Sequence, residues 1–177
     1  MEAEKISFID FEAFQHKNED FRIKELCVLI AEKPFHPLHY VFKNDKSWSQ
    51  LSQAKRRTYK YQEKQLHHLT WTEAASPFRH WCAHCIKIEL ESLGPLKCYV
   101  LGKQKADYLR SVLSSPLINI VEYEYTDSYK TLSPAPSHLV CTYRDHSREH
   151  CALLKCYQMM FHYYDSDSDD DNDNKSV

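Results

Sequence analysis

The sequence of 177 residues predicts a single α/β domain: a mixed sheet with an antiparallel start and later parallel crossovers, flanked by helices. Two observations carry this. Two successive β-rich runs stand at the start, the first of them alternating, with only a short polar turn between them. From the middle onward, helical periodicities alternate with short apolar runs. The resulting order is β-β-(β)-α-β-α-β-α.

Residues 6–14 (ISFIDFEAF) alternate and form the first strand. Residues 21–31 (FRIKELCVLIA) form the second, after the polar turn at His16–Asp20. Pro34 and Pro37 break the chain, and a third strand ends at Val41–Phe42. Residues 47–66 are polar and basic with helical spacing. Residues 78–93 (FRHWCAHCIKIELESL) are an amphipathic helix stopped by Gly94-Pro95. Residues 97–101 (KCYVL) are a short buried strand. A helix over 103–114 places Leu109 and Leu113 on one face, and residues 117–125 (LINIVEYEY) return to strand. The chain loops through Pro134 and Pro136, and a helix over 151–164 closes the domain.

Composition narrows the function classes. Gly94 and Gly102 are the only glycines, so neither GxGxxG nor a Walker-type phosphate loop is present. No run of eighteen apolar residues exists to cross a membrane. Seven cysteines behind a charged, strand-forming N-terminus point to reduced thiols or metal ligands in an intracellular protein, cytoplasmic or nuclear. The tail 165–177 (DSDSDDDNDNKSV) holds six aspartates and one lysine. Without it, residues 1–164 carry 22 basic and 19 acidic residues, a net +3. The domain is therefore residues 1–164, and the tail is expected to be disordered, too polar to bury itself. It suits a solubilising role, a contact for a basic protein partner or a mimic of nucleic acid. Ser166 and Ser168 among the aspartates suit an acid-directed kinase.

Chemistry-bearing residues fall in three groups. On the first strand, Ile9-Asp10-Phe11-Glu12 places two carboxylates on one side. Such a pair suits magnesium or manganese. Near the C-terminus, Cys141, His146, His150 and Cys151 lie within eleven residues. Thiolates and imidazoles at spacings of four or five suit tetrahedral zinc. This cluster has two active readings, a structural zinc clamp or His150 as the base of a nuclease, and a third as buried thiols without metal. Between them, the run Lys55, Arg56, Arg57, Tyr59, Lys60, Tyr61 interleaves cations with aromatics, as phosphate contacts and base stacking require. The alternative is a solvated helix face. Cys82, His84 and Cys85 share a predicted helix. Core packing is the expectation there, with a second metal site needing Cys98 or His80 as well.

The order of elements and these motifs resemble the ribonuclease-H-like fold of DEDDh exonucleases over roughly residues 6–164. The Asp-x-Glu strand is followed by Ile23-Lys24-Glu25-Leu26, then by Tyr99-Val-Leu-Gly102-Lys-Gln-Lys105-Ala-Asp-Tyr-Leu109, and last by His150-Cys-Ala152-Leu153-Leu-Lys155. The resemblance implies a nuclease centre with Asp10, Glu12 and His150. Lys105 and Lys155 stand where the family has its other two metal-binding aspartates; Asp107 is two positions out of register. An ammonium repels a cation and can take its place, so two-metal cleavage is expected to be absent or badly weakened. Glu12 is expected to pair with Lys105 or Lys155.

The chain is also similar to the Maelstrom domain, a relative that has lost the catalytic acids in most lineages and binds zinc through a Glu-Cys-His-Cys set. That similarity implies Glu25, Cys141, His146 and Cys151 as ligands of a structural zinc, with His150 as the alternative to His146. The spacing Cys-x4-His-x4-Cys departs from the Cys-x2-His-x8-Cys type. Degenerate domains in invertebrates and in mobile or viral elements are similar too. The implied function is nucleic-acid binding, RNA before DNA, or scaffolding. The alternatives are an active nuclease, metal-dependent or not, and a protein-interaction adaptor.

Overall fold

A computed structural model describes residues 3–71, 80–124, 141 and 150–169, the last four without their side chains. Five strands form one sheet in the order β3-β2-β1-β4-β5. They are β1 (Lys5–Phe14), β2 (Arg22–Ile30), β3 (Leu38–Val41), β4 (Leu96–Leu101) and β5 (Ile118–Tyr123). β1 lies at the centre, antiparallel to β2 and parallel to β4. β2–β3 is antiparallel and β4–β5 parallel, so the sheet is mixed in the sense the sequence predicts. The helices are α1 (Gln53–Gln62), α2 (Ala83–Glu91), α3 (Lys103–Val112) and α4 (Ala152–Asp169). A π-helical turn, Glu63–His67, extends α1.

Strand alternation divides the core in two. Ile9 and Phe11 of β1, with Leu26 and Val28 of β2, pack against Ile86 and Leu90 of α2 and Ala106 and Leu109 of α3. On the opposite face Phe8, Cys27 and Leu29 meet Leu154, Tyr157 and Met159 of α4. Asp10 and Glu12 share the parity of Phe8, and so they face α4 rather than the α2–α3 layer. A third cluster gathers Phe14, Leu51, Tyr59 and Trp71 at the end of β1.

Two local features position the chemistry. The β1–β2 register runs Glu12↔Glu25 and then Ala13↔Ile23, so Lys24 is the extra residue of a β-bulge. Its buried ammonium donates to the carbonyl of Phe42 at 2.9 Å. Gly102, at φ 90°, then joins β4 directly to α3, a backbone conformation that favours glycine.

Two helices differ from their predicted spans. α2 begins at Ala83; before it, His80 bridges to Lys43 and Cys82 is extended at the N-cap. α4 continues to Asp169, past the expected limit at 164. Its helical backbone thus takes in five residues of the acidic segment, while residues 170–177 lie outside the described residues. Among the described residues, no helix is long and apolar enough to cross a membrane.

Candidate metal centre and neutralised carboxylate pair

Asp10 is fully buried and Glu12 nearly so. Two lysines reach them from different elements. Lys105, in the first turn of α3, donates to Asp10 Oδ1 at 2.7 Å and to the carbonyl oxygen of Phe11, and lies 3.7 Å from Glu12 Oε1. Lys155, one turn into α4, donates to Glu12 Oε1 at 2.7 Å and lies 3.9 Å from Asp10 Oδ2. Burial by itself would lower the Lys155 pKa, but attraction to Asp10 and Glu12 outweighs it, and the net shift is upward. The ammonium is therefore held in its charged form.

Two carboxylates facing two ammoniums form a neutral quartet. Magnesium or manganese does not fit this arrangement, because the ammoniums already occupy the cation side of both carboxylates. Asp107, the out-of-register aspartate, is exposed and bound to Arg110 at 2.8 Å instead.

Across the strand pair from Glu12 stands Glu25, also fully buried. His39 Nε2 lies 2.7 Å from its Oε1, and the backbone N–H of Ala152 donates to its Oε2 at 3.1 Å. Ligand atoms of Glu25, His39 and Cys141 all lie within 4.8 Å of one another. Cys151 adjoins this group, its Sγ 3.7 Å from Glu25 Oε1 and its thiol hydrogen-bonded with Cys141. That hydrogen bond, burial and the Glu25 charge all push the Cys151 thiol up. A divalent cation would reverse this balance and favour the thiolate.

Glu25, His39 and Cys141 supply one carboxylate, one imidazole and one thiol, donors of the kinds zinc takes, and Cys151 stands beside them as a candidate fourth. Tetrahedral ligands at zinc lie roughly 3.5 Å apart, so Glu25, His39 and Cys141 would have to draw together to share an ion. Four protein ligands would leave no open position for substrate, which is the pattern of a structural site.

His39 was not among the ligands expected from sequence. The β2–β3 register puts it opposite Cys27, diagonal to Glu25 on the same face. No cysteine–histidine spacing announces it. The strand alternation of Leu38–Val41, set against Glu25, is the signal that could have found it. His146 lies outside the described residues. His150 is half-buried just before α4 and is not part of the described ligand group.

The basic run is rearranged by folding. Tyr59 is 1 % exposed and stacks on Trp71, centroids 5.1 Å apart and planes 9° from parallel. It is a core residue and cannot stack on a base, contrary to expectation. Lys55 is engaged by Glu19 at 2.8 Å and Lys60 by Glu63 at 3.3 Å. Arg56, Arg57 and Tyr61 are exposed. Cys82 and Cys85 are exposed too, so core packing does not describe them. Neither belongs to the metal-ligating group among the described residues.

No family model, curated protein or solved structure matches this chain.

Proposed function

We propose that this protein is a catalytically degenerate, ribonuclease-H-like nucleic-acid-binding domain, clamped by a structural zinc ion. The observation that carries this reading is the quartet of Asp10, Glu12, Lys105 and Lys155, in which fixed ammoniums stand on the cation side of the carboxylates. A divalent-metal nuclease needs those carboxylates free to hold its ions. The sheet order, antiparallel at its start and parallel across β1, β4 and β5, supports the fold assignment. Zinc is supported by Glu25, His39, Cys141 and Cys151, with His39 in the place given to His146 by the resemblance to the Maelstrom domain. Binding is supported by α1, which carries Lys55, Arg56, Arg57 and Lys60 and no acidic residue. RNA ahead of DNA follows from the resemblance alone.

Two measurements on the full chain test this. Incubation of labelled single-stranded RNA and DNA with magnesium or manganese should leave both intact. Titration of the same oligonucleotides should give affinity that falls with salt, because each phosphate contact releases counterions. Cleavage abolished by Asp10→Ala would replace the reading with an active nuclease. Absence of any salt-sensitive binding would replace it with a protein-interaction adaptor.

A further inference from the structure

Trp48 lies on a short 3-10 turn, Trp48–Gln50, just before α1. The turn is closed by a capping box in which the Ser47 N–H donates to Gln50 Oε1 at 2.8 Å. The indoles of Trp48 and Trp71 meet edge to face, centroids 6.1 Å apart and planes at 62°. Trp71 is in turn fixed by Tyr59, by Phe14 at 5.1 Å and by its indole N–H donating to the Lys46 carbonyl at 3.0 Å. Trp48 is thus half-buried, held against a rigid aromatic base.

A groove of about 460 Å³ is lined by Trp48, Gln53, Arg56, Arg57 and Lys60. A second hollow of about 310 Å³ continues past Trp48 and Lys60 to Glu63, Thr70 and Trp71. Arg56 and Arg57 are exposed, and neither side chain makes an ion pair or hydrogen bond among the described residues. The Lys60–Glu63 pair at 3.3 Å is exposed and weak, easily exchanged for a phosphate.

We propose that this groove is a subsite for a single-stranded polynucleotide, with one base stacked on Trp48 and the flanking phosphates held by Arg56, Arg57 and Lys60. A fixed indole beside uncommitted guanidiniums matches the combination that single strands require: a π-face for the base and cations along the backbone. A duplex keeps its bases stacked inward and offers Trp48 no free face. The proposal rests on the nucleic-acid-binding reading and assigns its residues, replacing the buried Tyr59 with Trp48.

The test uses the full chain and a fluorescein-labelled ten-nucleotide oligouridine, with the matching DNA and a duplex of equal length. Trp48→Leu should weaken single-strand binding about tenfold and leave duplex binding unchanged. Arg56→Glu with Arg57→Glu should weaken it further and reduce the salt slope by about 1.4, two phosphates' worth. Because Trp48 touches Trp71, Trp48→Phe serves as a second variant that keeps a smaller ring. It should fold as the wild type does and bind between wild type and Trp48→Leu. Wild-type binding that none of these variants alters would overturn the subsite and leave the general reading standing. Loss with the arginine variants but not with either Trp48 variant would reduce the groove to a polyanion surface and overturn the stacking role. No binding by wild type would overturn both.

Discussion

Lys155 donates to Glu12 at 2.7 Å across 143 residues of sequence, joining the last described helix to the central strand. The pair is mostly shielded from water, the lysine side chain 17 % and the glutamate 10 % exposed. Removing one partner leaves an uncompensated charge. Lys155→Met should therefore lower unfolding free energy by about 3 kcal/mol, read by urea denaturation. Lys155→Met combined with Glu12→Leu should recover much of that loss, since apolar groups of similar size need no counter-charge. Equal destabilisation by the single and double variants would contradict the pairing.

The same face predicts metal content. Protein purified without added metal should carry about one zinc ion per chain by elemental analysis. His39→Ala and Cys141→Ser should each abolish it, and a strong chelator should lower the melting temperature of wild type but not of those variants. Cys82→Ser and Cys85→Ser should keep the metal, because both lie outside the ligand group. Zinc retained in His39→Ala would restore His146 or His150 as the imidazole ligand.

Cys151 and Lys155 lie one turn apart at the start of α4, and the Lys155 N–H bonds the Cys151 carbonyl at 3.0 Å. Fixing the helix start on Glu25 thus also sets the reach of Lys155 toward Glu12. A double-mutant cycle of Cys151→Ser and Lys155→Met should show a coupling of about 1 kcal/mol. Strict additivity would mean that the clamp and the quartet act independently.

Tyr59 and Tyr61 separate packing from binding. Tyr59→Ala removes a ring packed against Phe14 and Trp71 and should cost about 4 kcal/mol of stability. Tyr61 is 62 % exposed, and Tyr61→Ala should change stability by less than about 0.5 kcal/mol. Thermal melts of the two variants decide this directly.

Alkaline pH should loosen the core. Burial pushes the Cys98 thiol up to about 11, and burial with the Cys156 hydrogen bond raises the Cys27 thiol as well. Each holds its proton more tightly folded than unfolded. Stability is therefore full below the unfolded thiol pKa, about 8.5, and declines as pH rises from there toward 11. Melts between pH 7.5 and 10.5 should show the decline, and Cys98→Ala should make it shallower.

By itself, the sequence determined what depends on local periodicity and on the charge of single residues. Alternation in ISFIDFEAF and the β-rich run FRIKELCVLI were enough for two strands, and the short apolar run KCYVL before a helical periodicity was enough for β4 and α3. The expected pairing of Glu12 with Lys105 or Lys155 is found, because a buried carboxylate needs an opposite charge beside it. Tertiary structure decided which atoms meet. His39 reaches Glu25 only through strand register, which no spacing along the chain encodes. Tyr59 is withdrawn from the basic face and Trp48 remains at the groove, because Phe14 and Trp71 close over one aromatic and leave the other at the edge. Periodicity fixes the direction of a side chain relative to its own element. The docking of elements through buried apolar surface fixes its partners, and that free energy is non-local.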